Sequence, residues 1–215
     1  MPTLQELMGQ EIYDLLYTHY NQNGQIIEDM EDVFYCEDED IPQQRITKLE
    51  KLLVPISKAD DTLIPLAAAK LLSAWGSEKA VDYFEYCIDQ RIHRFGNLEP
   101  HRLHPYDTTY ENFINNLLNY HARCADFSEG KGDKARQRIF PIMEKIIALS
   151  KEVIIDIGYN VGIFQREGWK EYLPVLKECY LDFIQRPEND LNRQWNLPAL
   201  TELLEEWDPE FLTNC

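Results

Sequence analysis

The sequence predicts an all-α protein, built either as a short solenoid of stacked helical hairpins or as an irregular helical bundle. Along most of the 215 residues, apolar side chains recur at the three- and four-residue spacing of an amphipathic helix. Glycine, proline, asparagine and aspartate cluster between these segments, where they cap or end helices. The apolar run at 153–157 would suit a short strand, but no second segment of β character is available to pair with it.

In the first half of the chain, an amphipathic helix is predicted from Leu4 to about Leu16. It should end before the asparagines and glycine of residues 21–24, and an acidic stretch then runs to Pro42. Further helices are predicted over 43–54, 62–75 and 78–92. The second of these is rich in alanine and leucine, which are strong helix formers, and Gly76 is expected to close it.

The second half begins with a connection over 93–107 that contains two prolines. A helix is predicted to start at Thr108 or Thr109, and residues 125–133, which include two glycines, are expected to form a loop. The segment 139–157 is apolar nearly all round, which is typical of a helix buried between neighbours. The remaining predicted helices cover 169–184 and 197–206.

With 44% hydrophobic and 27% charged residues, the composition is that of a globular protein. We expect one domain, with an acidic N-terminal helix and loop (1–42), a helical core (43–193) and an acidic C-terminal capping helix (194–215). The formal charge is −17, and residues 1–40 contribute −11 of it, with eleven acids and no lysine or arginine. Such acidity repels phosphate backbones, so no nucleic-acid partner is expected.

No apolar run reaches the ~18 residues that suggest a transmembrane helix, and the N-terminus lacks the basic and apolar regions of a secretory signal. The cysteines are scattered and form no C-x-x-C pair, which argues against a disulfide framework or a zinc knuckle. They are Cys36, Cys87, Cys124, Cys179 and Cys215. These features predict a cytoplasmic protein with no membrane partner and no cofactor.

Residues 61–88 read DTLIPLAAAKLLSAWGSEKAVDYFEYCI. They combine a first helix with an early proline and a small-residue face, a tight turn, and a second helix with spaced aliphatic residues. This segment resembles a HEAT-type helical hairpin, and residues 150–185 repeat the pattern more loosely. The resemblance implies hairpins stacked in a solenoid, an architecture that serves chiefly in protein binding.

The most distinctive segment is 28–40, EDMEDVFYCEDED, with eight acids in 13 residues and no base. It lacks the aspartate spacing and turn glycine of a calcium loop. It is either a solvated acidic loop whose aromatic residues pack back onto the helices, or a recognition element for a basic partner. The second interpretation assigns partner binding to Glu28, Asp29, Glu31, Asp32, Phe34, Tyr35, Glu37, Asp38, Glu39 and Asp40. The carboxylates would meet a basic surface while the two aromatic residues anchor the complex.

A second polar cluster, EPHRLHPYD at 99–107, holds two histidines three positions apart. Together with Glu99 or Asp107, His101 and His104 could ligate a divalent metal, which makes a metal-dependent helical enzyme the alternative function. The prolines place the histidines on a loop, and polar packing within that loop is the simpler interpretation. No nucleophile elbow, P-loop or dinucleotide-binding motif occurs in the sequence, so no catalytic or metal-binding residue is assigned.

The acidic charge, the helical hairpin and the lack of catalytic motifs together favour a non-catalytic protein-binding protein. A chain of this type resembles the immunity proteins of bacterial contact-dependent growth inhibition and related polymorphic toxin systems, some of which are HEAT-like. The resemblance implies a protein that binds and neutralises a basic, nuclease-type toxin through its acidic surface. A generic HEAT-like adaptor for another basic protein would fit the same features.

Overall fold

The computed structural model describes residues 2–21, 23–27 and 32–215. Within them the chain forms twelve α-helices and one antiparallel pair of two-residue strands, β1 (His19–Tyr20) and β2 (Ile26–Ile27). The prediction of an all-α protein is confirmed. Over the same residues, no helix combines the length and the apolar character that crossing a membrane requires.

The helices range from four residues in α3 to 21 residues in α8. Their bounds are α1 Leu4–Met8, α2 Gln10–Tyr17, α3 Asp32–Tyr35, α4 Gln43–Glu50, α5 Leu63–Ala74, α6 Glu78–Asp89, α7 Thr109–Phe127, α8 Glu129–Leu149, α9 Gly158–Glu167, α10 Leu173–Ile184, α11 Leu191–Trp207 and α12 Pro209–Thr213. Short 3₁₀ turns lie between several of them, at Asp38–Asp40, Ala59–Asp61, Ile92–Phe95 and Lys170–Tyr172.

The chain divides into two compact units. The first comprises Met1–Leu98 and Asn115–Ile139, and the second comprises Glu99–Ile114 and Phe140–Cys215. Helices α7 and α8 each contribute residues to both units. The candidate site described below is formed entirely by residues of the first unit.

The N-terminal segment of the first unit contains two helices where one was predicted. Thr3 and Glu6 form a capping box that starts α1, and Gly9 separates α1 from α2 with a φ of 79°. A positive φ is readily adopted only by glycine, so the helix breaks there. After α2 the chain turns through the small β1–β2 hairpin, which the helical periodicity did not indicate.

The predicted hairpin at 61–88 is present as α5 and α6, which pack against each other. Gly76 joins them with a φ of 76° and follows the C-terminal end of α5, as the sequence indicated. The inner faces of both helices are fully buried in the core of the first unit, with Leu72 on α5 and Phe84 and Cys87 on α6.

The loop predicted over 125–133 is wrong. Helix α7 continues to Phe127 and α8 begins at Glu129, so nearly all of this segment is helical. Gly132 lies inside α8, where a Cβ atom would come within 2.9 Å of the Cβ of Ala125 on α7. The glycine therefore permits the close approach of two helices, and it does not mark a loop.

The helix predicted over 139–157 is also wrong in its second half. Helix α8 ends at Leu149, and residues 153–157 are neither helical nor part of a sheet. Two buried asparagines of α11 hold this stretch. Asn192 accepts the Ile155 N–H at 3.0 Å, and Asn196 accepts the Ile157 N–H at 2.8 Å and donates to the Ile155 carbonyl at 2.9 Å. Side-chain amides thus provide the pairing that no second strand supplies.

Candidate partner-binding groove

The acidic segment predicted to bind a partner is partly described by the structure. Glu28, Asp29 and Glu31 lie outside the described residues, and only the backbone of Asp32 is described. The other predicted site residues lie on α3 and on the residues that follow it as far as Asp40. They are Phe34, Tyr35, Glu37, Asp38, Glu39 and Asp40.

Helix α3 is held in place by two donors from distant parts of the chain. Val33 is fully buried, and its carbonyl accepts a hydrogen bond of 2.8 Å from Nε1 of Trp75, the residue that follows α5. The guanidinium of Arg123 on α7 donates to the carbonyl of Cys36 at 3.3 Å and to Oδ1 of Asp38. Because both donors act on the segment from α3 to Asp38, its remaining side chains are presented in a fixed arrangement.

A groove of about 660 Å³ lies along this segment. The volume is within the range of roughly 300–1,000 Å³ that is typical of ligand pockets. Helices α3, α5 and α7 supply most of its lining, with Glu37 at the end next to the 3₁₀ turn. The polar and aromatic residues of the lining are Phe34, Tyr35, Glu37, Lys70, Asn119, Arg123 and Asp126.

The two aromatic residues predicted as anchors have different environments. Phe34 is half-buried, and the Lys70 ammonium lies over its ring at 5.3 Å from the centroid. Tyr35, the next residue of the same short helix, is 78% exposed. Phe34 therefore belongs partly to the packing of the groove wall, whereas the Tyr35 ring is open to a ligand.

The carboxylates of the segment also differ. Asp38 is paired with Arg123, and Asp40 is half-buried with its Oδ1 lacking a hydrogen-bond partner among the described residues. Glu37 is exposed, as is Asp126 across the groove. Neither of these two side chains forms an ion pair or a hydrogen bond with another residue that the structure describes. They are the groove carboxylates that a ligand can meet without breaking an existing pair.

Cys36, next to the groove, is not a nucleophile candidate. Burial raises the pKa of its thiol, while the nearby Arg45 and Arg123 act in the opposite direction. The net shift leaves the residue as the neutral thiol, which packs as a small apolar group.

The alternative metal site does not assemble. Nδ1 of His101 accepts the backbone N–H groups of Leu103 and His104 at 3.1 and 3.0 Å, and its ring stacks on Tyr106 at 5.0 Å. Asp107 accepts the backbone N–H groups of Glu99 and Thr109. Nδ1 of His101 and the Asp107 carboxylate therefore stabilise the loop that contains them. Within the described part of the chain, no group of three or more His, Cys, Asp or Glu residues could hold a metal ion.

Glu111, a residue that the sequence did not single out, has a strongly raised pKa. Glu111 of α7 accepts the Asp156 backbone N–H at 2.7 Å and the Tyr106 hydroxyl at 3.3 Å. Burial raises the pKa of Glu111 to about 7, assisted by the charges of Asp156 and Asp107 and opposed by the two hydrogen bonds. Glu111 links the loop that contains Tyr106 to the segment before α9, and its charge makes that link sensitive to pH.

The two residues that hold the groove segment in place were not predicted, because they lie far from the acidic segment in sequence. Arg123 is separated from Asp38 by 85 positions, and Trp75 from Val33 by 42. Neither has a local motif. Their own positions carried one usable signal, since a lone arginine on a helix and a tryptophan at a hairpin turn often pair with a carboxylate or a carbonyl elsewhere in the fold.

Comparisons with known proteins add no further assignment. No family model matches the chain, and neither the curated proteins nor the solved structures contain a match to it.

Proposed function

We propose that the protein is a non-catalytic binding protein that receives a basic polypeptide in the groove along α3. The exposed Tyr35 carries this proposal. It is a large aromatic side chain, 78% exposed, on a helix whose neighbouring Val33 is fully buried. Aromatic residues on a fixed backbone, next to a cavity, are the usual energetic centres of protein interfaces.

The charge of the chain supports a basic partner. Residues 1–40 contain eleven acids and no lysine or arginine, and the whole protein carries −17. Such a field steers an oppositely charged protein towards the acidic side and raises its association rate. The groove adds Glu37 and Asp126, whose carboxylates are not engaged with other described residues. Long-range attraction and a local anchor would then act at the same place.

In its most specific form, the proposal takes the partner to be a nuclease-type toxin that the protein neutralises in the cytoplasm. The support is the resemblance in type to immunity proteins and the acidic character of the groove segment. A carboxylate-rich surface can occupy a cleft that normally binds phosphate, because both ligands are anionic. A generic adaptor would bind a basic protein without inhibiting any nuclease activity, which separates the two forms in an activity assay of the captured partner.

The first experiment is native mass spectrometry of the tagged protein isolated gently from its own cells at low salt. We expect a basic polypeptide that dissociates near ~0.5 M salt, where exposed charges are screened over a few ångströms. Recovery of the bare protein alone, under conditions that preserve known acidic–basic complexes, contradicts the proposal.

The same complex allows a matched test of the groove. Tyr35→Ala and Glu37→Gln should each weaken binding of the identified partner about tenfold or more. Tyr159→Ala is the control for the aromatic change, because Tyr159 on α9 is also exposed, at 74%, and does not line the groove. Glu188→Gln is the control for the charge change, since Glu188 is exposed and does not line the groove. Equal affinity of all four variants would place the interface elsewhere.

A further inference from the structure

The groove combines an exposed aromatic face with carboxylates that have no partner among the described residues. The Tyr35 ring is open to solvent, while Glu37 and Asp126 line the same cavity of about 660 Å³. The groove also contains two basic residues, but both already contact other side chains of the first unit. Arg123 is paired with Asp38, and the Lys70 ammonium lies over the Phe34 ring.

This set of groups matches one side chain better than any other. A guanidinium group is planar, so it stacks on an aromatic face, and its fork of N–H donors binds a carboxylate through two parallel hydrogen bonds. A lysine ammonium also lies over aromatic rings, as Lys70 does over Phe34, but it is a compact point charge without the planar fork of donors. An exposed ring beside carboxylates therefore favours a guanidinium over an ammonium of equal charge.

The first unit already uses this mode of contact internally. The guanidinium of Arg45 lies 5.1 Å from the ring centroid of Trp75 while its Nε and Nη2 donate to the carbonyl of Leu15 at 3.0 and 2.9 Å. Arg123 lies 5.4 Å from the ring centroid of Phe127 while it donates to Asp38. In both cases a guanidinium lies over a ring and donates to an oxygen at the same time.

We infer that the groove is an arginine-recognition site, in which a partner's arginine stacks on Tyr35 and donates to Glu37 or Asp126. This inference rests on the proposed function and specifies the side chain through which the basic partner is held. It adds selectivity for arginine over lysine, which the acidic charge alone does not provide.

The test uses two synthetic peptides of equal length and charge, with glycine alternating with arginine in one and with lysine in the other. Their binding to the intact protein is measured by isothermal titration calorimetry at low ionic strength. We expect the arginine peptide to bind about tenfold more tightly. Tyr35→Ala should remove that preference, Tyr35→Phe should keep it because the ring face remains, and Tyr159→Ala should leave it unchanged. Tyr35 is too exposed for these changes to impair folding.

Equal affinity for the two peptides overturns the inference, and so does the absence of binding to both. Retention of the arginine preference in Tyr35→Ala also overturns it. None of these results contradicts the proposed function, which stands or falls on whether a basic protein is isolated with the chain and is released by salt. If a partner is released by salt and the two peptides bind equally well, the groove would bind its partner through charge alone.

Discussion

Two polar segments stand out in this sequence, and the structure builds them in opposite ways. The acidic segment at 32–40 is held by Trp75 and Arg123, which lie 42 and 85 positions away from their acceptors. The loop at 99–107 is held largely by its own residues, since His101 and Asp107 accept backbone N–H groups no more than eight positions away. The conformation of the first segment depends on distant parts of the fold, whereas that of the second depends largely on hydrogen bonds among its own residues.

This difference shows what composition alone leaves open in the two segments. Histidines and carboxylates in the loop at 99–107 have the residue types of a metal site, but Nδ1 of His101 and the Asp107 carboxylate already accept backbone N–H groups of the same loop and of Thr109. The acidic segment has the composition of a solvated loop, yet Val33 is fully buried and anchored. Composition identifies which atoms are present. Whether each atom remains open to a ligand depends on the hydrogen-bond partners that the fold brings to it, from nearby or from distant positions in the sequence.

The largest expected effect comes from Trp75, because it is buried and also donates to α3. Trp75→Ala should lower the free energy of unfolding by about 3–5 kcal/mol. Trp75→Phe should lower it by about 1–3 kcal/mol, since the buried carbonyl of Val33 loses its strong donor and keeps the weak Cys36 thiol donor at 3.4 Å. Denaturant unfolding measures both values, and hydrogen exchange should show lost protection in residues 32–36 while residues 99–107 keep theirs.

Trp195→Phe is the matched control for the tryptophan series. The Trp195 ring packs on His104 and Tyr106 at centroid distances of 5.2 and 5.1 Å. Its replacement by phenylalanine should leave exchange in residues 32–36 unchanged. Wild-type protection of α3 in Trp75→Phe would mean that the hydrogen bond to Val33 does not hold this helix.

The next largest effect is a pH dependence at the loop containing Tyr106. The pKa of folded Glu111, about 7, lies above the ordinary value of 4.5. A carboxyl with a raised pKa stabilises the fold while it is protonated, so its contribution is complete below pH 4.5 and is lost as the pH rises through 7. The loss should amount to ~1–3 kcal/mol, allowing for partial exposure to solvent.

Glu111→Gln tests this prediction because glutamine stays neutral at every pH. The variant should be more stable than the wild type at about pH 8 and should lose most of the decline in stability between about pH 5 and pH 8. The exposed change Glu188→Gln should preserve the wild-type profile. A decline of equal size in Glu111→Gln would assign the pH dependence to other groups.

A smaller effect is expected at Arg123, where the ion pair with Asp38 is partly exposed. Arg123→Met should cost about 1 kcal/mol of stability and should increase hydrogen exchange in residues 36–40. Arg123→Lys keeps the charge but not the planar guanidinium whose Nη2 donates to both Cys36 and Asp38, so its exchange should be intermediate. Protection in Arg123→Met equal to that of the wild type would show that Trp75 alone fixes the segment.

The helices could be predicted wherever periodicity and turn chemistry agree, as at α5, Gly76 and α6. Prediction failed where a residue serves a distant contact. Gly132 was interpreted as a loop residue because a close approach to Ala125 leaves no local trace in the sequence. The same reason hid Arg123 from the predicted site, while Tyr35 and Glu37 were found because the acidic segment is contiguous. Whether these residues bind a partner stays a prediction.

Asn192 and Asn196 form an asparagine clamp on residues 153–157. The conformation of that segment depends on these two residues of α11 rather than on its own side chains. Within residues 153–157, the hydrogen bonds from Asn192 and Asn196 involve backbone atoms, so aliphatic exchanges in that segment leave them intact. Aspartate at either clamp position could not donate, and glutamine would displace the amide by one methylene. Asn192 and Asn196 on α11 therefore determine the course of this segment. Mutational tolerance should be high in the segment and low at these two positions, which lie 37 to 41 residues from their partners in it.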